Sequence, residues 1–189
     1  SILQTENIDP ATTREFVSDI GAEASRLERI TEDLLRLTRL DSGAVEPAVC
    51  VAVKPVLERA ARMLQPVARQ REIDLTCRAD EAAAVRATEG DVHQILYNLM
   101  ENGVKYTAPG GFVHTSVSVE EGRVVITVSD NGIGIPAEDM PHIFERFYRV
   151  DKARSRQIGG TGLGLSIVGD TVQRRGGEIG VAPREGGGT

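Results

Sequence analysis

Apolar residues recur every three or four positions from Phe16 to Leu37, at Phe16, Ile20, Ala24, Leu27, Ile30, Leu34 and Leu37. That spacing is the stripe of a helix, and sustained this long it is the seam of a coiled coil. Asp9-Pro10 predicts the start, with Asp9 as N-cap and Pro10 at the first helical position. Asp41-Ser42-Gly43 supplies the stop, and between the two only Gly21 weakens the helix. Arg14, Glu15, Glu23, Arg26, Glu28, Arg29, Glu32, Asp33, Arg36 and Arg39 occupy the outward positions. A helix of roughly thirty residues, rising about 1.5 Å per residue, cannot bury such a seam on itself. A helical hairpin that dimerises into a bundle is expected, in preference to a helix lying on its own domain. Ile2-Leu3-Gln4 reads as the tail of a preceding helix.

After Gly43 the pattern changes, which predicts a domain boundary at 43–45: a helical region over 1–43 and a second unit over 44–189. VEPAVCVAV alternates and is β-branched, so it reads as a strand. Pro55 to Arg69 is helical, with Val56, Leu57, Ala60, Met63, Leu64 and Val67 as its inner face. REIDLTCRA and AAVRAT are short strands joined by a turn. DVHQILYNLMENGVKYT is a helix, its apolar stripe running through Val92, Ile95, Leu96, Leu99 and Met100. A loop at Pro109-Gly110-Gly111 leads to two alternating stretches, Phe112–Val119 and Arg123–Ser129. Glu120-Glu121-Gly122 separates them as a hairpin turn. Strands and helices without regular βαβ alternation predict an α+β sandwich, one mixed sheet with helices on one face.

Composition narrows this. The 189 residues are 40% hydrophobic but only 4% aromatic, with no Trp, so the core is aliphatic. A net charge of −6 argues against general nucleic-acid binding while allowing a local basic patch. Cys50 and Cys77 lie far apart in strand-like contexts, the pattern of two buried free thiols in a reducing compartment. No apolar run approaches the roughly 20 residues needed to cross a bilayer, and no signal peptide is visible. With no initiating Met, the expectation is a soluble fragment of something longer.

Three stretches carry candidate chemistry. Asn98, Asn102 and Lys105 stand three and four residues apart on one helical face. Two amide oxygens beside a cation suit a hydrated divalent metal carrying a phosphate chain, although a solvated polar face would look the same. Asp130-Asn131-Gly132-Ile133-Gly134-Ile135-Pro136 follows a strand: an acid that can accept an amine hydrogen, then glycines that let backbone approach a flat ligand, or simply an Asn-Gly turn. Arg146, Arg149, Lys152, Arg154 and Arg156 crowd together before GGTGLGLSIVGDTVQRR, where glycines open an amphipathic helix. Free N–H groups and the positive end of the helix dipole favour an anion there. The spacing is neither a Walker A loop nor a dinucleotide fingerprint.

The order of these motifs resembles the catalytic, ATP-binding region of sensor histidine kinases. NLMENGVKYT is similar to the asparagine box, DNGIGI to the first glycine box, FERFYR to the phenylalanine box and GGTGLGL to the second glycine box. The resemblance spans residues 44–189, and residues 1–43 resemble the end of the family's dimerisation and phosphoacceptor hairpin, closing in LTRLDSG. It implies a Bergerat-type (GHKL) α/β sandwich that binds ATP and Mg²⁺, preceded by a coiled-coil-like helix of a dimeric bundle. It further implies that Asn102 coordinates Mg²⁺ with Asn98 nearby, and that Lys105 and Arg149 contact phosphates. Tyr106 then lies against the nucleotide, and Asp130 takes the adenine amine hydrogen. Gly132, Gly134 and Ile135 surround the base. Gly160, Thr161, Gly162, Leu163, Gly164 and Leu165 wrap the phosphates, with Phe144 and Phe147 anchoring the lid. The implied partners are a second copy of the chain through the helical hairpin and a response regulator receiver domain. The implied setting is cytoplasmic, with a membrane reached only through a sensor region outside this chain, and no nucleic acid is expected.

One departure stands out. The family's phosphoacceptor histidine belongs to a motif on the first helix of the hairpin, and none of His93, His114 and His142 lies in such a motif. By helical geometry His93 is about 140° around the helix from Asn98. Two other readings remain. One is an ATP-hydrolysing relative, such as a chaperone, topoisomerase or mismatch-repair ATPase. Those relatives resemble one another in placing a glutamate base four residues before the metal-binding Asn, where this chain has Asn98. Glu101 sits about 100° off the face of Asn102 and substitutes poorly. The other is a non-catalytic dimerisation or scaffold module.

Overall fold

The computed structural model describes residues 9–41, 46–150 and 161–189. Helix α1 runs over Pro10–Asp41, as the spacing predicts. Along it Phe16, Val17, Ile20, Leu27, Leu34 and Leu35 are all exposed, so among the described residues most of the seam is left uncovered. Ile2-Leu3-Gln4, Ser42-Gly43 and the boundary at 43–45 lie outside the described residues.

Strand β1 is short, Val49–Ala52, and helix α2 follows directly over Val53–Gln70. Pro55 falls in the first turn of α2, where its missing N–H costs no helical bond. The buried stripe of α2 is Val53, Val56, Leu57, Ala60, Leu64 and Ala68. Met63 and Val67, expected on that face, are instead 55% and 46% exposed. Each precedes a buried residue by one position, about 100° of helical rotation, which carries it off the stripe. Cys50 is also exposed, because in β1 it alternates with the buried Val51, while Cys77 is half-buried; both thiols are free. Burial pushes the Cys77 thiol above its usual pKa, opposed by its bond with Thr115.

β2 (Asp74–Ala79) and β3 (Ala84–Ala87) are joined by the expected turn, but they do not pair with each other. β3 pairs antiparallel with β1, aligning Val49 with Ala87, and β2 pairs parallel with β4. β4 (Phe112–Glu120) and β5 (Arg123–Asp130) form the predicted hairpin, turned by Glu121 and Gly122 at φ 49° and 78°. The result is a mixed three-stranded sheet, β2-β4-β5, and a separate two-stranded pair, β1-β3, in place of one sheet.

Val113, Thr115 and Val117 of β4 are buried on one face while His114 and Ser116 are exposed on the other. The buried face takes α2 and α3 (Glu89–Tyr106), which contributes Val92, Leu96, Met100 and Val104 to an aliphatic core. Gly103 permits the close approach, since a Cβ there would sit 2.9 Å from Val113 Cγ1. The last helix, α4, spans Gly164–Arg174. Among the described residues no helix is long and apolar enough to cross a membrane.

Leu96 is fully buried, so Leu96→Ala should cost about 3 kcal/mol, typical of a core leucine truncation. Met63→Ala should cost less than about 1 kcal/mol, as for other exposed sites. Urea unfolding of both variants checks the contrast; equal losses would return Met63 to the core.

Candidate functional site

The site is assembled around α3. A capping box starts the helix: Thr88 Oγ1 accepts from Asp91 N at 3.1 Å, and Asp91 Oδ2 accepts from Thr88 N at 3.3 Å. About two turns on, Asn98 is buried, and its Nδ2 donates to the Gly164 carbonyl at 3.1 Å. Gly164 sits against that amide, a Cβ there lying 3.7 Å from Asn98 Cγ. At the far end of α4, Arg175 reaches Asp91, with Nε 2.7 Å from Oδ2. The start of α4 therefore lies beside the middle of α3, and its end beside the start of α3. The two helices run antiparallel, with α4 tied to α3 at both of its ends.

Asn102 and Lys105 continue the face begun by Asn98, and Tyr106 ends the helix; all four line one cleft of about 1040 Å³. Its second wall is the end of β5. Asp130 Oδ1 accepts from Gly132 N at 2.8 Å, Asn131 Oδ1 accepts from Phe112 N at 2.7 Å, and Ile133 N donates to the Tyr106 carbonyl at 3.2 Å. Among the described residues Asp130 Oδ2 has no hydrogen-bond partner, and Asp130, Gly134 and Ile135 face the cleft. Gly132 does not line it. A Cβ there would meet the Tyr106 carbonyl oxygen at 2.6 Å, so its role is to let the loop close on α3.

Sequence reasoning missed the wall behind Asp130. The Thr189 carbonyl accepts from Asp130 N at 2.9 Å, and Gly188, at φ 93°, packs so tightly that a Cβ would lie 2.0 Å from the Asp130 carbonyl oxygen. The run Gly186-Gly187-Gly188, all at positive φ, was the available signal.

The third wall comes from residues 143–150 and 161–165. Phe144 packs on α4 opposite Gly169. Phe147 anchors through backbone: its N donates to the Gly162 carbonyl at 2.9 Å, while its ring is 63% exposed. Its φ of 65° is rare for an aromatic residue, and Gly162 matches it at 74°, its missing Cβ leaving room for the Phe147 backbone. Thr161 Oγ1 accepts from Leu163 N at 3.2 Å. Thr161, Gly162, Gly164 and Leu165 line the cleft, whereas Leu163 is buried against Ile167 and supports it from behind. Lys152, Arg154, Arg156, Gly159 and Gly160 lie outside the described residues.

Arg149 is the most telling group. Its Nε and Nη2 are buried in the cleft wall with no hydrogen-bond partner among the described residues. Such orphaned donors cost on the order of 1–3 kcal/mol each unless a ligand supplies acceptors. Among the described residues no three His, Cys, Asp or Glu side chains gather to hold a metal. A cation at Asn102 would therefore need ligand oxygens and water to complete its shell, as Mg²⁺ on a phosphate chain has. The residues present fit a magnesium nucleotide. The histidines are engaged elsewhere: His93 stacks on Tyr97, His114 on Phe112, and His142 Nδ1 lies 2.6 Å from Glu145 Oε1.

A mixed sheet covered on one face, with glycine-rich turns closing on a polar helix, defines an ATPase-type nucleotide sandwich. Residues 87–189 match the family of histidine kinase-, DNA gyrase B- and HSP90-like ATPases, and the chain belongs to it. It is similar to the sensor histidine kinase YkoH of Bacillus subtilis, 35% identical over 181 residues, which cover 95% of this chain and 39% of YkoH. It is likewise similar to the sensor-like histidine kinase SenX3 of Mycolicibacterium smegmatis, 37% identical over 172 residues, which cover 90% of this chain and 45% of SenX3. The chain thus spans less than half the length of either relative. Among solved structures, full-length ShkA in complex with AMPPNP superposes with a TM-score of 0.78 at 29% identity, covering 97% of this chain and 38% of ShkA.

Tyr148 gives a test of the loop leading to Arg149. Its hydroxyl donates to Asp139 Oδ1, and that bond, then lost hydration and the carboxylates of Asp139, Glu145 and Glu138, raise its pKa. It should ionise above the usual value of about 10. Because the folded-state pKa is the higher one, its contribution to stability is present below the unfolded value and disappears as pH rises through the folded value. Ultraviolet titration of the protein against Tyr148→Phe isolates the group, and Asp139→Asn should bring it down; no change would disprove the contact.

Proposed function

We propose that this chain is the catalytic ATP-binding part of a sensor histidine kinase. It binds ATP with Mg²⁺, and the γ-phosphoryl passes to a histidine outside the chain, then to a response regulator receiver domain. The observation that carries this is Arg149, which lines the cleft that also holds Asn102 and Lys105 and whose Nε and Nη2 have no hydrogen-bond partner among the described residues. Phosphoryl transfer needs positioning and charge neutralisation more than covalent help from the protein, and these residues supply both.

In this reading Asn102 holds the cation, while Lys105 and Arg149 take phosphate oxygens. Asp130 Oδ2 accepts the adenine amine hydrogen, with Gly134 and Ile135 beside the base and Tyr106 along the nucleotide. Thr161, Gly162, Gly164 and Leu165, with Gly160 before them, enclose the phosphates, and Phe144 anchors that enclosure. Bound Mg²⁺ supplies charge neutralisation between the phosphates. Asn98 shapes the cleft through Gly164. It stands where hydrolysing relatives carry a glutamate base, and an amide cannot take a proton from water. That favours transfer to a protein side chain over hydrolysis. Residues 1–43 then form the dimerisation region and 44–189 the catalytic domain, the exposed seam of α1 meeting a second copy. The setting is cytoplasmic, with any membrane contact made by a sensor region outside the chain, and a net charge of −6 fits a site without nucleic acid.

Calorimetry with ATP·Mg²⁺ tests this. Arg149→Ala should weaken binding by about tenfold or more, the equivalent of at least 1.4 kcal/mol. Asn102→Ala should remove the dependence on Mg²⁺. A protein extended to include the phosphoacceptor helix should gain acid-labile phosphate. Absence of ATP binding, or steady phosphate release by this chain alone, would overturn the kinase reading.

A further inference from the structure

Arg175, just past α4, divides its guanidinium between two distant parts of the chain. Nε donates to Asp91 Oδ2 at 2.7 Å, with Nη2 at 2.5 Å from the same oxygen, while Nη1 donates to the Glu46 carbonyl at 3.0 Å. The Arg175 and Asp91 side chains are only 12% and 25% exposed, so this pair is better shielded from water than a surface ion pair. A guanidinium is planar and holds its N–H directions fixed relative to one another. While both partners are bound, Asp91 and Glu46 cannot shift independently. Asp91 sits in the first turn of α3, and Glu46 leads into β1 on the segment that follows α1.

We propose that Arg175 is a positioning residue, a joint that bolts the segment leaving α1 to the α3–α4 pair framing the nucleotide cleft. Filling the cleft and fixing Glu46 are then linked. The inference rests on the ATP-binding reading above. Its mechanical basis is the pairing of two ties: Arg175 holds one end of α4 to α3, and Asn98 holds the other end beside the cleft. Release of the Arg175 end lets α4 swing about the Asn98–Gly164 bond and moves the third wall. Linkage makes the effect reciprocal: whatever displaces Glu46 weakens nucleotide binding by the factor by which nucleotide restrains Glu46.

Amide hydrogen exchange on the whole chain, with calorimetry, provides the test. Saturating ATP·Mg²⁺ should slow exchange within residues 46–49, at the amides of Glu46, Ala48 and Val49 since Pro47 has none, and Arg175→Ala should bind ATP about tenfold more weakly, within the usual range of coupling between sites. Once ATP is raised to saturate Arg175→Ala, the added protection at 46–49 should still be missing. A purely structural role would lower the melting temperature and leave that response intact. Should Arg175→Ala not fold, Arg175→Lys, which can reach Asp91 but not both partners, carries the same test. An unaltered response of 46–49, or no response in the unaltered chain despite ATP binding, overturns the joint alone. Failure of the unaltered chain to bind ATP overturns the reading of the site beneath it.

Discussion

Everything at the cleft depends on how α3 and α4 are held together. Each helix buries an apolar stripe that turns its polar face outward, and two hydrogen-bonded ties, Asn98 to Gly164 and Arg175 to Asp91, fix the pair against each other. The first is a buried side-chain amide donating to a carbonyl in the first turn of α4, and the second a shielded ion pair that shares its carboxylate with a capping box. A buried polar bond of this kind adds only about 1 kcal/mol of net stability, but breaking it leaves a desolvated group and costs more. Such interactions contribute less to whether the chain folds than to which single arrangement it adopts.

Around that pair the walls are made largely of backbone. Gly132 brings its loop onto the end of α3, Gly162 receives the backbone of Phe147, and Gly188 seats the final segment against Asp130. Each removes a Cβ where another main chain must pass. The charged and amide side chains can then stand in a cleft whose outline no rotamer change elsewhere can easily alter, the kind of preorganisation that electrostatic catalysis requires.

Much of this was legible in the chain itself, for local reasons. α1, α3 and the β4–β5 hairpin follow from periodicity and turn residues, which act between near neighbours. The pairing of β2 with β4 and of β3 with β1 was not legible, because short strands joined by a turn look alike whether or not they pair. Met63 and Val67 were misplaced for a related reason: hydrophobicity marks what can be buried, and the position of a neighbouring sheet decides what is. At the site, the motif stretches line one cleft, but the different places of the residues within them were not legible. Leu163 and Gly132 support the cleft from behind, and Phe147 holds by its backbone. Arg175 and Gly188 act across 84 and about 58 residues of sequence, distances over which no local pattern speaks.

The bond made by Asn98 also bears on how such a site can change over generations. A glutamate at that position would bring a base, but it would have no N–H for the Gly164 carbonyl and would press oxygen against oxygen in a nearly dry corner. A mutant that gained the base would thereby loosen the helix that the chemistry relies on. A glutamate at position 98 would therefore have to arrive together with a rebuilt start to α4.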